Sequence, residues 1–159
     1  MTTDHPFELP LQFDDRSHEA LVSVWWTGNL LRKVGRRLFR SLDSSEAQFN
    51  VLFMLRKLPG PLTQNDLSRR LLVDKANITG LVDQLEKAGL VKRVRASNDR
   101  RSYHVRITPR GSREVDRLSR AYDRTIEKIA AGLTRSDLTA LIESTRKLRT
   151  ALARSGLAQ

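Results

Sequence analysis

Apolar residues recur at a helical period over the first third of the chain. From Ser17 to about Leu42, the positions Leu21, Val24, Trp25, Gly28, Leu31, Leu38 and Phe39 fall on one broad face. A narrower strip of Val22, Trp26, Leu30 and Val34 falls on another side. A helix apolar on two sides is expected to be covered twice, once by its own domain and once by something else. The economical second cover is another copy of the chain. Before this helix the residues up to about Asp15 show no helical period, which predicts a mobile arm. Within the arm Phe7, Leu9, Leu11 and Phe13 alternate, as in a segment that lies along a groove.

The next patterns are shorter and punctuated. Ser45 and Gln48 have capping-box spacing, which predicts a second helix through Phe49, Leu52, Phe53 and Leu55, stopped by Pro59-Gly60. Thr63 with Asp66 is a similar, weaker signal for a short third helix, with Leu67 inward and Ser68, Arg69 and Arg70 outward. Asp74 then has the character of an N-cap for a fourth helix that runs to Ala88 and stops at Gly89. Its core face is Ile78, Leu81, Val82 and Leu85.

After Gly89 the period changes to two. Leu90 to Arg95 and Tyr103 to Ile107 are expected strands, joined by the polar turn Ala96-Ser97-Asn98-Asp99-Arg100-Arg101. Thr108 caps a fifth helix beginning at Pro109, with a stripe of Val115, Leu118, Tyr122, Ile126 and Ile129 that ends near Gly132. Thr134 with Asp137 caps a last helix carrying Leu138, Leu141, Ile142, Leu148 and Leu152. The last two stripes are too long for the small hairpin region alone to cover, so they are expected to pack with the first helix in a dimer.

Two short helices followed by a hairpin make a helix-turn-helix with a wing. The expected fold is therefore mainly α with a small β-hairpin wing, six helices in all, dimerising through its N- and C-terminal helices. Residues 1–16 form the arm, 17–44 the N-terminal dimerisation helix, 45–108 the winged helix-turn-helix and 109–159 the C-terminal dimerisation helices, in one integrated domain.

Charge adds a partner to this picture. The 159 residues hold 29 Lys plus Arg against 18 Asp plus Glu, a formal net charge of +11, which favours a polyanion through steering and counterion release. Cysteine is absent, which rules out disulfides, thiolate metal ligands and thiol redox switches. His5, His18 and His104 lie far apart, so no metal site and no cofactor is expected; His104 is read as a surface or phosphate-facing strand residue. No apolar run is long enough to span a membrane, and the start is acidic and proline-bearing rather than basic and then apolar. A soluble, cytoplasmic protein is the expectation.

The fourth helix supplies the chemistry for choosing among polyanions. Opposite its core face lie Ala76, Gly80, Asp83 and Lys87, flanked by Asn77, Thr79 and Gln84. Small residues beside short hydrogen-bonding ones allow close approach to base edges in a major groove. A wing with two arginines at its tip fits the neighbouring minor groove, whose negative potential favours arginine.

The segment LTQNDLSRRLLVDKANITGLVDQLEKAGLVKR, followed by NDRRSYHVRITPRG, resembles the MarR family of winged-helix regulators, and the likeness extends from about Ser17 to Leu152. Its strongest mark is the wing signature of Asp99, Arg101, Ile107 and Thr108, with isoleucine in place of the usual leucine. The resemblance implies a homodimer on palindromic double-stranded DNA, usually a repressor relieved by a small molecule or an oxidant. It places recognition contacts on Lys75, Asn77, Thr79 and Gly80, with Asp83 or Gln84 nearby, and makes Arg101 the minor-groove residue that Asp99 orients. Arg69 and Arg100 complete the expected DNA-facing set. Members that sense oxidants use cysteines, which this chain lacks. Members that sense urate-like aromatic anions use a first-helix tryptophan, so Trp25 or Trp26 is a candidate pocket wall beside the plainer reading as core or dimer residues.

A non-specific architectural or RNA-binding protein would suit the same charge, and differs in showing no preference for one palindrome. An enzyme finds no support, since the chain has no glycine-rich phosphate loop, no nucleophile elbow and no metal cluster.

Overall fold

The computed structural model describes residues 12–95 and 103–157. Residues 1–11 of the expected arm over 1–16 and the wing-tip residues Asp99, Arg100 and Arg101 lie outside them. Six helices are described: α1 (Arg16–Arg40), α2 (Glu46–Lys57), α3 (Gln64–Leu71), α4 (Lys75–Lys87), α5 (Pro109–Ala130) and α6 (Arg135–Ser155). Three strands, β1 (Leu62–Thr63), β2 (Val91–Arg95) and β3 (Tyr103–Ile107), form one antiparallel sheet in the order β1-β3-β2. The chain divides into two compact units, Met1–Arg120 and Ala121–Gln159, with the division inside α5. No helix among the described residues is long and apolar enough to cross a membrane.

In the first unit, helix starts follow local capping chemistry. Asp15 accepts from the His18 amide to begin α1. Ser45 and Gln48 form both halves of a capping box at α2, and Thr63 and Asp66 do so at α3. The shorter aspartate serves because its Oδ2 accepts from both the amide and the hydroxyl of Thr63. Those two bonds hold the Asp66 carboxyl below its ordinary pKa.

Two expectations are corrected here. Ser68 is buried rather than outward, because its hydroxyl donates to the Val73 carbonyl at 2.6 Å and closes the turn between α3 and α4. Asp74 occupies the N-cap position of α4 but makes no side-chain cap bond. The turn between these helices passes through Leu72, a left-handed residue at φ 53°.

The core of this unit runs from the end of α1 through α2, α3 and α4 to the sheet. Phe39 and Phe49 stack at 4.7 Å, and Leu52, Leu67, Ile78 and Leu85 are fully enclosed. Val91 and Val105 bury the inner face of the sheet, while Val115 and Leu118 bury the start of α5. Earlier along α1 the two apolar faces behave differently. Leu21, Val24, Trp25 and Leu31 are exposed, whereas on the narrower strip Val22, Trp26 and Leu30 are half-buried and only Val34 is exposed. The broader stripe is thus the less covered one.

One corner of the unit is drawn tightly together. The Thr108 hydroxyl lies within hydrogen-bonding distance of the Gly89 and Leu90 carbonyls, at 2.7 and 3.1 Å, and accepts from the Gly111 amide at 3.0 Å. The Thr108 amide also donates to the Leu90 carbonyl. Gly111 is buried, and a Cβ there would overlap the Leu90 carbonyl oxygen and lie 2.9 Å from Ile107 Cγ1. The end of α4, the start of β2 and the first turn of α5 therefore share one corner.

In the second unit, Thr134 and Asp137 complete a capping box at α6. Ile126 and Ile129, late in α5, are exposed, and no described residue of α6 is buried. Leu141 and Ile142 are 54% and 63% exposed. The apolar stripes read from the sequence are present here as uncovered faces.

Candidate nucleic-acid interface

Helix α4 is sharply two-sided. Ile78, Val82 and Leu85 are fully buried, whereas Lys75, Ala76, Asn77, Thr79, Gly80, Asp83, Gln84 and Lys87 are exposed. The expected recognition residues of this helix therefore stand on one solvent-facing side. Gly80 lies at its centre with a negative φ and nothing within 4 Å of the space a Cβ would fill. Neither a turn nor a close neighbour within the chain calls for glycine there. A mid-helix glycine costs about 0.8–1.0 kcal/mol relative to alanine, so the empty space is what the position supplies. Gly80→Ala should raise the thermal midpoint by roughly 2–4 °C while weakening the binding of any partner seated on that face. A gain in both melting temperature and affinity would show that no partner approaches the helix there.

The polar side chains are not equally free. Asp83 pairs with the Arg93 guanidinium at 2.5 Å, and Glu86 accepts from both the Arg93 amide and its guanidinium. Held first by that amide, the Glu86 carboxyl lies below its ordinary pKa. Arg93 therefore pins β2 to α4, and Asp83 is an anchor of this joint although it is exposed. Thr79 is also engaged: its hydroxyl donates to the Lys75 carbonyl at 2.9 Å and accepts from Gln64 Nε2 at 3.2 Å. Gln64 was not among the expected site residues, because a partner 15 positions away leaves no local signal.

Around this face the charge is positive. Arg69 on α3 is exposed and paired with Asp66 at 3.0 Å, and Arg70 beside it is exposed. In the hairpin, Lys92 stands opposite Arg106 in the β2–β3 register, and both are exposed. Like charges directly opposite on a sheet are unfavourable unless an anion lies between or above them. His104 sits half-buried in the central strand, opposite Val94 and Thr63. Arg95 continues the basic edge, with Nε 3.4 Å from the Tyr103 hydroxyl.

The two tryptophans separate. Trp25 is 64% exposed. Trp26 is half-buried, and its Nε1 is enclosed with no hydrogen-bond partner among the described residues. No group of His, Asp or Glu among the described residues could hold a metal ion.

A model of the MarR family matches residues 42–102, the stretch from just before α2 to just before β3. The solved structure of the transcriptional regulator BldR from Sulfolobus solfataricus is 25% identical to the chain, with a TM-score of 0.77, covering 89% of this chain and 99% of that one. The chain resembles MarR-type regulators in its matched stretch and in its fold. A MarR-family transcriptional regulator from Rhodococcus sp. RHA1 shares the fold at 18% identity, with a TM-score of 0.75 and coverage of 86% of this chain and 96% of that one. BpsR from Bordetella bronchiseptica, whose DNA binding is regulated by 6-hydroxynicotinic acid, has a TM-score of 0.72 at 21% identity, covering 89% of this chain and 98% of that one. The family model stops before α5, and the likeness to these MarR-type structures carries the fold through most of both units. The chain thus shares the winged-helix fold of these regulators.

Proposed function

We propose that the protein acts as a homodimeric repressor that binds a palindromic operator in double-stranded DNA and leaves it when a small-molecule effector binds. The exposed face of α4 carries this reading, with Asn77, Thr79 and Gln84 around the bare Gly80 and with Ile78, Val82 and Leu85 buried on the opposite face. Exposed apolar faces on α1, late α5 and α6 support the second copy. In such a dimer the two α4 helices enter successive major grooves about 34 Å apart.

Selection from a random duplex pool, followed by footprinting, tests the reading. The expected result is a pseudo-palindrome with half-sites one helical turn apart and affinity that falls steeply with salt, at a log-log slope of about 0.9 per neutralised phosphate. Asn77→Ala should reduce the preference for that operator over random DNA by about 1–3 kcal/mol. Arg69→Ala should weaken both alike, as a phosphate contact does. Uniform binding to all duplexes would favour a non-specific architectural role instead.

The wing adds a second test, based on sequence spacing alone. Asp99 and Arg101 are two residues apart in the sequence, and the proposal gives the carboxylate the role of orienting the guanidinium. Arg101→Ala should lower operator affinity without unfolding the protein, and Asp99→Ala should do the same to a smaller degree. Plain electrostatics gives Asp99→Ala the opposite sign, so tighter binding by that variant, titrated at one salt concentration, would reduce the aspartate to a solvated turn residue.

The effector part of the proposal rests on Trp26, whose enclosed Nε1 is a donor suited to the carboxylate or carbonyl of an aromatic acid. The regulation of BpsR by 6-hydroxynicotinic acid is a parallel from a protein of the same fold. Trp25, largely in water, is the weaker pocket wall.

A further inference from the structure

The Thr79 side chain is a reading group whose hydrogen bonding is largely spent within the protein. Its single hydroxyl proton goes to the Lys75 carbonyl, and one of its two lone pairs accepts from Gln64 Nε2. So bound, it has no proton for guanine N7 or O6, nor for thymine O4, the acceptors that line a major groove. Its uncommitted group is the methyl. Ala76, three residues earlier on the same exposed face, adds a second methyl, and Gly80 next to Thr79 has no side chain to hold a base edge away.

Resting on the DNA-binding reading above, we infer that Thr79 reads sequence through its methyl group, against the C5-methyl of a thymine, and that its hydroxyl serves to fix the side chain rather than to contact a base. Gln64 is the positioning residue from the neighbouring helix. The operator half-site is thereby required to carry a thymine where α4 passes closest, a requirement that a hydroxyl bonding to base edges would not impose.

Thymine and uracil differ in duplex DNA only by that methyl, which gives a direct test. The selected operator is compared with versions in which each thymine is replaced by deoxyuridine, using wild-type protein, Thr79→Val and Thr79→Ser. Wild type should lose about fourfold in affinity per half-site at one thymine, the value of one buried methyl-sized group. Thr79→Val, which keeps the methyl and loses the hydroxyl, should retain that ratio, and Thr79→Ser should bring it close to one. Because each protein is compared with itself on two DNAs, a general change in folding cancels. A ratio lost by Thr79→Val as fully as by Thr79→Ser would overturn the inference, as would a wild type indifferent to every thymine of an operator it clearly prefers. A wild type that selects no sequence would overturn the DNA-binding reading as well.

Discussion

Gly111→Ala should destabilise the protein by about 3 kcal/mol, at the upper end of what overpacking costs, lowering the thermal midpoint by roughly 6–12 °C for a chain of this size. The added methyl would overlap a backbone carbonyl, that of Leu90, with Ile107 Cγ1 close behind it. A flexible side chain can rotate away from such an overlap; a carbonyl that accepts from the Thr108 amide cannot move without breaking that bond. Thermal unfolding followed by circular dichroism gives the answer. An unchanged midpoint would mean that α5 slides off the sheet at little cost, and the corner built around Thr108 would then be loose.

Charge placed on α6 should act on assembly rather than on the fold of one chain. Leu141 is 54% exposed, on a helix with no buried described residue, so Leu141→Asp removes little packing within the chain. In the proposed dimer the same carboxylate would lie in an apolar interface without a partner, which is strongly unfavourable. The variant should be monomeric by light scattering at micromolar concentration while keeping its helical signal. Operator affinity should fall by about 100- to 10,000-fold, because each half-site then binds alone without the effective concentration that linkage provides. Wild-type mass and affinity in this variant would remove α6 from the interface.

The features legible in the sequence were those whose partners lie a few residues away. The caps at Ser45, Thr63 and Thr134 each join positions three apart, and each was recognised with its helix. The fold class followed from those caps, the change of period after Gly89 and the likeness to a known family. Strand β1 has no signal in the sequence because two residues, Leu62 and Thr63, hold no period; pairing with β3 defines it. The helical period alone turns Ser68 outward, because its partner, the Val73 carbonyl, is positioned only by the turn that the two residues close together.

The candidate site shows the same division. Its exposed face was legible from the helical period of Ile78, Val82 and Leu85 on the opposite side. The commitments of individual side chains on that face were not. Asp83 binds an arginine ten residues away in a strand, and Thr79 binds a glutamine in the preceding helix. On α1, periodicity identified two apolar faces without indicating which is covered, since that depends on neighbours distant in sequence.

The corner at Thr108 also sets how far a small rotation travels. Helix α4 has 13 residues, which at 1.5 Å per residue is about 20 Å from the end near Gly89 to the end at Lys75. A tilt of roughly 5° about the Gly89 end moves the far end through about 1.7 Å, by the same helix length. A displacement of that size takes a hydrogen bond from its ordinary distance to beyond its useful range. In the proposed complex, a base contact near Asn77 would thus be lost by turning the first turn of α5 through a few degrees, with every bond inside α4 intact.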